Sequence, residues 1–236
     1  MSISLRVLCL LSAAILPLSA QKAKAAQKPD KSDNGITVRL VASDVQEGQE
    51  KVFIQTDEKK SEPLDLPTNR LSDPVAVAGR SIVLKAVAGE AALCNVTLPG
   101  EGRSFVVLLA AEKPTGYASV VVRADDPDFK AGDVFFLNRS TKTLVMKLGG
   151  TELVIEPGQS AKSRPTTAVD NMYQVLISER DTAGDKLISS TRWPAEDAAR
   201  SYVFLTTDDR GRTIYRAVTE HLEAEKKTKP AKKRSK

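Results

Sequence analysis

Short apolar segments alternate with turn residues along residues 36–218. The segments are four to seven residues long, rich in Val, Ile, Leu, Phe and Thr, and recur about every ten residues. This spacing is typical of β-strands joined by tight turns. The pattern predicts strands at 36–41, 51–56, 81–87, 92–98, 104–110, 117–123, 133–138, 143–148, 151–156, 172–180, 186–192, 201–207 and 212–218. Many short strands at this spacing favour antiparallel sandwiches.

Turn residues support several of these strand pairs. Gly149-Gly150 lies between two apolar segments and predicts a two-residue hairpin. Asp209-Arg210-Gly211 lies between two further apolar segments and predicts a connecting turn, and Pro157-Gly158 and Pro99-Gly100 mark other turns. Helical patterning is weak. The best helix candidate is 217–227, and 194–199 is a candidate turn.

The chain also matches itself, at two different offsets. At a shift of 82 residues, the stretch 38–66 lies on 120–148 without a gap. This alignment places Val52 and Phe53 on Val134 and Phe135. At shifts of 95 to 97 residues, Leu98-Pro99 lies on Trp193-Pro194, and the stretch 103–108 lies on 200–205. Two copies of one unit predict two similar modules, with insertions of about 15 residues in the second copy.

The fold class predicted from these patterns is all-β, with two tandem immunoglobulin-like antiparallel sandwiches. The modules are placed at 35–116 and 117–222, and one continuous sandwich is the alternative. The strand at 117–123 resembles both the first strand of one copy and the last strand of the other. It can close the first sandwich, open the second, or be shared, so the boundary lies near 113–125.

Side chains that alternate along a strand share one face of the sheet. Phe105 and Val107 are therefore expected on one face of their strand, and Tyr202 and Phe204 on one face of the matching strand in the second copy. Both pairs are predicted to belong to the core.

The two ends of the chain differ from this central region. Residues 1–25 have a basic start, a short apolar run at 7–18 and small residues at Ala20 and Ala25, either of which can end a cleaved signal peptide. The apolar run is too short for a membrane span. An uncleaved N-terminal anchor is the alternative. Residues 26–34 are predicted to be a disordered leader, and the protein is expected to be exported to the periplasm or the bacterial exterior.

The basic charge of the chain is concentrated at its end. Residues 34–225 hold 23 basic and 28 acidic side chains, whereas 226–236 hold seven basic side chains and no acid. The segment 223–236 is predicted to be a disordered basic tail. Its candidate contacts for a polyanion are Lys226, Lys227, Lys229, Lys232, Lys233, Arg234 and Lys236.

No recognisable catalytic set accompanies the strands, so we expect neither an enzyme nor a cofactor or metal site. The single histidine, His221, has no evident catalytic partner. Cys94, the one cysteine after signal cleavage, is expected to pack in the core. The Asp-rich stretch 125–128, with Asp133 nearby, is compatible with calcium but more typical of a solvated turn. Glu101 and Glu196 occupy matching positions, and duplication would place them on separate modules.

Trp193 can stack on a sugar ring if it is exposed, but Leu98 in the other copy favours a role in the core or at a sheet edge.

The second copy also carries motifs that resemble a known group of proteins. They are Phe135-Phe136-Leu137-Asn138-x-Ser140, Leu148-Gly149, Glu156-Pro157-Gly158-Gln159-Ser160 and Ser189-Ser190-x-Arg192-Trp193. Over about 132–218 the chain resembles secreted β-sandwich proteins of bacteria such as the Verrucomicrobia and Planctomycetes. The resemblance implies fold and export only.

Two functions are compatible with these observations. The first is a non-enzymatic envelope module that is structural or binds a protein. The second is binding of an anionic polymer, such as polysaccharide or lipopolysaccharide, through the basic tail. Nucleic acid is the less expected partner, and no membrane span is expected after signal cleavage.

Overall fold

All regular secondary structure of the described chain is β-strand. A computed structural model describes residues 35–57, 59–112 and 114–222. The strands of the first half are β1 (Ile36–Ala42), β2 (Lys51–Gln55), β3 (Leu64–Asp65), β4 (Val75–Val77), β5 (Ser81–Ala86), β6 (Ala92–Thr97), β7 (Ser104–Ala111) and β8 (Tyr117–Arg123). Those of the second half are β9 (Val134–Asn138), β10 (Thr143–Leu148), β11 (Thr151–Ile155), β12 (Ser160–Ser163), β13 (Met172–Asp181), β14 (Gly184–Pro194), β15 (Ala199–Thr207) and β16 (Thr213–His221).

The two halves have the same sheet topology. In the first half, one sheet has the order β4-β1-β7-β8 and the other the order β3-β2-β5-β6. In the second half, the orders are β12-β9-β15-β16 and β11-β10-β13-β14, so each strand has a counterpart eight strands later. The predicted all-β fold with two repeated sandwich-like halves is confirmed. One pairing in each half is parallel rather than antiparallel: β1 with β7, and β9 with β15.

The four sheets form four layers around three apolar clusters. One cluster fills the first sandwich and another fills the second. The third lies between the sheet that contains β7 and the sheet that contains β15. These two are called the inner sheets, and the sheets that contain β5 and β13 are called the outer sheets. The inner sheets are therefore covered on both faces.

Double burial explains the composition of the inner strands. All five residues of β9 (Val-Phe-Phe-Leu-Asn) are buried, and so are six consecutive residues of β7. A strand covered on both faces loses its apolar–polar alternation and becomes a continuous apolar segment. The outer strand β5, which alternates between buried and more exposed residues, shows the one-sided pattern instead.

The 82-residue alignment pairs strands that are not equivalent. Val52 and Phe53 lie on β2 of an outer sheet, whereas Val134 and Phe135 lie on β9 of an inner sheet. The prediction that these pairs occupy the same sites is wrong. Apolar strands of similar length match one another at many shifts, so the gapless match reflected shared strand character. The correct counterpart of β9 is β1.

The 97-residue alignment selects equivalent strands but misses the register by one residue. Phe105 and Val107 share one face of β7, as expected, and point into the first sandwich. Tyr202 and Phe204 also share one face of β15, but they point between the inner sheets. A shift of one residue along a strand moves every side chain to the opposite face. All four side chains are buried, which confirms their place in the core.

The remaining strand predictions differ at the edges of the elements. β8 pairs with β7, so hydrogen bonding assigns residues 117–123 to the first half, whereas the division at 116/117 placed them in the second. The helix considered at 217–227 is wrong for residues 217–221, which belong to β16. The turns at 149–150 and 209–211 are confirmed as hairpin connections. Both Gly149 and Gly150 have positive φ angles, which residues other than glycine rarely adopt.

Three short strands were not predicted. β3, β4 and β12 contain two to four residues each and pair at the sheet ends. β3 and β4 are too short for a periodic pattern, because at least four residues are needed to recognise alternation, and β12 (Ser-Ala-Lys-Ser) has no large apolar residue. Hydrogen bonds to neighbouring strands define them.

Candidate binding groove at the edge of the second sandwich

One lateral edge of the first sandwich is closed. β6 and β8, the edge strands of its two sheets, contact each other. The Ser119 hydroxyl donates to the Asn95 carbonyl oxygen at 3.5 Å. Gly116, just before β8, sits so close to β6 that a Cβ there would lie 2.7 Å from the Leu93 carbonyl oxygen. The two sheets therefore meet along this edge and cover the core.

The corresponding edge of the second sandwich is open. β14 and β16 occupy the places of β6 and β8 at the sheet edges. β14 and β16 approach each other less closely than β6 and β8 do, and two adjoining clefts lie between them. Because both strands end their sheets, one side of each backbone has no strand partner among the described residues. The groove formed by the two clefts is called the edge groove.

Three aromatic side chains form the wall of the larger cleft. Its volume is about 330 Å³, at the lower end of the range for ligand sites. The Trp193 ring on β14 lies 6.3 Å from the Tyr173 ring and 5.6 Å from the Tyr215 ring, between centroids. Tyr173 is buried, whereas Tyr215 on β16 is 37% exposed and Trp193 is half-buried. This space is called the aromatic cleft.

The charged groups that line the aromatic cleft are mostly acidic. They are three carboxylates and one guanidinium: Asp133, Glu196, Asp197 and Arg164. The Arg164 guanidinium donates to Asp133 Oδ1 at 2.7 Å and to the Ala131 carbonyl oxygen at 2.7 Å, so its charge is already paired. Burial raises the pKa of Tyr173 to about 12, and the negative charge of Glu196 adds to that rise. The cleft is thus an aromatic pocket with excess negative charge.

The smaller cleft of the edge groove has a mixed lining, in which Ser189 and Thr213 lie beside apolar side chains. Its lining includes Ile177, Ile188 and Leu205 of the second core, together with Ile214 and Tyr215 on β16. Ile214 is 46% exposed, and Leu187 on β14 is 55% exposed. Tyr215 lines both clefts, so they form one groove along the two edge strands. Apolar side chains exposed together along unpaired strands are typical of protein-binding surfaces.

A buried ionic network holds β16 in place. The Arg200 guanidinium donates to Glu220 Oε2 at 2.8 Å and to the carbonyl oxygens of Ala124 and Phe129 at 2.8 Å each. The Tyr202 hydroxyl donates to the same Glu220 oxygen at 2.7 Å. Each buried charge thereby has a partner, as burial requires. The sequence repeat aligned Arg200 with Arg103 but gave no sign that it would be buried.

The acidic stretch that was compatible with calcium does not form a common site. Asp125 accepts one hydrogen bond from the backbone N–H of Arg103 and another from the guanidinium of Arg123. The Asp128 backbone N–H and the Lys162 ammonium bind Asp126, and both hydrogen bonds lower its pKa. Asp133 binds Arg164 instead. Among residues the structure describes, no three potential metal ligands come together.

The other candidate residues also lie apart. Glu101 and Glu196 lie on different halves, and Glu101 pairs with Arg123 at the surface. His221 Nδ1 is 3.8 Å from Glu196 Oε2, at the rim of the aromatic cleft. Cys94 is half-buried against the first core, where burial raises its pKa to about 11. Trp193 lies at a sheet edge and packs against the second core.

The predicted polyanion contacts lie outside the described residues. They are Lys226, Lys227, Lys229, Lys232, Lys233, Arg234 and Lys236, and the signal peptide at 1–25 and the leader at 26–34 lie outside as well. Across the described ranges, no helix is long and apolar enough to cross a membrane. Sequence analysis singled out Trp193 but missed Tyr173, its cross-strand partner in the β13–β14 hairpin, which the hairpin register would have indicated. It also missed Tyr215, because nothing local to β16 indicates that this strand approaches the other sheet.

No model of a known protein family matches the chain, and no curated protein is similar to it. The resemblance to secreted bacterial sandwich proteins remains a prediction. The class defined by the fold and the groove is therefore a protein of two β-sandwich halves, one of which has an open, aromatic-lined edge.

Proposed function

We propose that the chain is an exported, non-enzymatic binding module whose edge groove takes an extended segment of a partner protein. The observation that carries the proposal is the difference between the two halves. β6 and β8 close the first sandwich, whereas their counterparts β14 and β16 leave a groove. Export and the immunoglobulin-like assignment belong to the same proposal and rest on the sequence.

The chemistry of the groove favours an extended peptide. An added strand can hydrogen-bond to the unpaired side of β14 or β16, as in other cases of strand addition. Its alternate side chains would then enter the groove, where Trp193, Tyr215 and Ile214 provide apolar surface. Aromatic residues supply large contact areas and dominate binding energy at many protein interfaces. The acidic lining favours a segment that carries a basic residue beside its apolar ones.

Selection from a displayed library of random ten-residue peptides tests this proposal. Selected peptides should bind the chain and slow the exchange of backbone amides in β14 or β16. Trp193→Ala should weaken their binding at least about tenfold, because a central aromatic anchor contributes about 2 kcal/mol or more. Val87→Ala, which changes an exposed apolar residue of the first half, is the matched control and should leave binding unchanged.

Two results would contradict the proposal. One is a set of selected peptides that bind Trp193→Ala as tightly as the unchanged chain. The other is protection confined to surfaces outside the edge groove. If the groove instead joins two copies of the chain, sedimentation will show a dimer that Trp193→Ala dissociates, and this outcome also counts against a partner segment.

Binding of an anionic polymer through residues 226–236 is the second candidate. The observation that favours it is the charge distribution: a balance of −5 over residues 34–225 and seven basic side chains in the last eleven. Polyanion contacts by lysine and arginine release counterions, and their affinity falls with salt. This candidate needs no contribution from the groove, so the two functions can be separated by mutation.

A further inference from the structure

We propose that the aromatic cleft is a binding site for an alkylammonium group, and that the lysines of the chain's own 226–236 segment are its tethered occupant. The segment would thereby compete with a partner for the edge groove. The biological role of this competition rests on the proposed function, but occupancy of the cleft can be measured without any partner.

The cleft has the composition of a cation site. Rings of Trp193 and Tyr215 line it together with Tyr173, and cations bind favourably over such ring faces. Glu196 adds a carboxylate to the same lining. The one basic side chain in the lining, Arg164, is already paired with Asp133 at 2.7 Å. A lysine ammonium would therefore find ring faces and carboxylates with excess negative charge.

The described chain ends at the rim of this cleft. His221, the last residue of β16, lies 3.8 Å from the cleft carboxylate Glu196. The next residue, Leu222, donates its backbone N–H to the Ala198 carbonyl oxygen at 2.8 Å, which fixes the exit point of the chain. Lys226 is the fourth residue after Leu222, so the stretch from Leu222 to Lys226 contains five residues. A path of five residues spans at most about 18 Å, so the first lysines of the segment are within reach of the rings.

Tethering makes even a weak contact effective. A ligand on a short flexible connection has an effective concentration of about millimolar. The segment also contains seven basic side chains, and the cleft can be occupied by any one of them. The opposite net charges of the segment and of residues 34–225 add a general attraction.

The single tryptophan provides the measurement, because Trp193 is the only one in the chain and lies in the cleft. Acrylamide quenching of its fluorescence reports access to the ring. Two full-length chains are compared: the unchanged chain and one whose seven basic residues at 226–236 are replaced by Gln. Quenching should be about twofold stronger in the Gln chain, since a millimolar tether half-fills a millimolar site. The difference should disappear in about 0.5 M NaCl, where the Debye length falls to roughly 4 Å.

Matched variants separate a local contact from a general charge effect. Glu196→Gln in the unchanged chain should raise quenching toward that of the Gln chain. Glu101→Gln removes the carboxylate at the matching position of the first half, where the side chain is 90% exposed, and should have no effect. Equal quenching in the unchanged and Gln chains would overturn the proposal. So would equal effects of the two glutamate substitutions.

An added cation distinguishes the tethered occupant from a free ligand. N-acetyl-lysine methylamide should protect Trp193 in the Gln chain more than in the unchanged chain, whose cleft is already half-filled by the segment. The glutamate analogue should not protect it. Equal protection of both chains by the lysine probe would contradict occupancy by the segment. Peptide selection on the Gln chain tests the groove separately, so failure of the cation site and failure of partner binding give different results.

Discussion

The apolar contact between the inner sheets predicts that the two halves share their stability. Phe204 lies in this contact and is 1% exposed, among Tyr202, Leu108 and other members of the third cluster. Truncating a buried Phe to Ala removes its transfer free energy and leaves a cavity, at a cost of about 3–5 kcal/mol. Domains are held together by about 5–15 kcal/mol, so Phe204→Ala should remove a large part of the free energy of unfolding.

Thermal and urea unfolding of Phe204→Ala, followed by two signals, measures this effect. For a domain of this size, 1 kcal/mol shifts the midpoint by about 2–4 °C, so the variant should melt about 6–20 °C lower. Far-ultraviolet circular dichroism reports all the sheets, and Trp193 fluorescence reports the second half. Because the inner sheets share one cluster, both signals should move together. Ile214→Ala, which changes an exposed residue on β16, is the control and should shift neither midpoint strongly.

Two results would refute this reasoning. An unchanged midpoint would mean that Phe204 does not contribute to the core. A loss of the fluorescence signal while most of the circular dichroism persists would mean that the halves unfold independently. Either result would require the third apolar cluster to be energetically unimportant despite its burial.

Three further predictions follow from particular side chains. Arg200→Met should lower the free energy of unfolding by about 3 kcal/mol, since Glu220 loses its buried guanidinium partner and keeps only the Tyr202 hydroxyl and Arg39, 3.3 Å away; Arg180→Met, at an exposed pair, should leave the urea midpoint almost unchanged. Burial raises the pKa values of Tyr117 and Tyr173 to about 12, above the unfolded value near 10. The stability from these neutral phenols is complete below about pH 10 and is lost as pH rises toward 12; a urea midpoint constant over that range would contradict this. Binding to lipopolysaccharide should require the basic residues of 226–236 and weaken steeply with salt, and salt-insensitive binding, or equal binding by the seven-Gln chain, would exclude the segment as the contact.

The sequence indicated the strands well because strand patterning is local. Segments such as 143–148 and 151–155 have apolar residues bounded by Gly149-Gly150, and a two-residue turn with positive φ angles leaves little choice of structure. The short strands β3 and β12 carry no such pattern. Their existence depends on pairing with β2 and β9, which is decided by the tertiary structure.

The alignment of the two copies was less predictable than their existence. Val52 and Val134 are identical because buried strands are generally rich in apolar residues. The sheet to which a strand belongs, however, depends on pairing partners far away in the chain. The alignment of Phe105 with Tyr202 chose equivalent strands, but its register was wrong by one residue. Phe105 therefore lies inside the first sandwich, whereas Tyr202 lies in the contact between the inner sheets. The doubly buried inner strands lack the alternation that would have fixed the register.

The candidate site was hidden for a related reason. Trp193 was identifiable as an unusual residue, but its partners Tyr173 and Tyr215 lie on strands of two different sheets. Sequence spacing says nothing about which edge of a sandwich stays open. The burial of Arg200 was equally hidden, because its partner Glu220 belongs to the neighbouring strand β16.

The halves differ at a sandwich edge, a part that a repeated sandwich can change at low cost. The inner sheets face each other, so a substitution there must fit two apolar clusters at once. Edge strands face solvent on one side, and their separation can vary without disturbing that contact. In the first half a Cβ at Gly116 would collide with β6, whereas at Gly211, just before β16, nothing lies within 4 Å of the same position. Trp193 stands at the open edge where the sequence repeat has Leu98, and the larger ring fills space that the sheets leave between them. A stable four-layer core thus leaves one edge free to acquire a ligand, and this edge is where we propose that a partner binds.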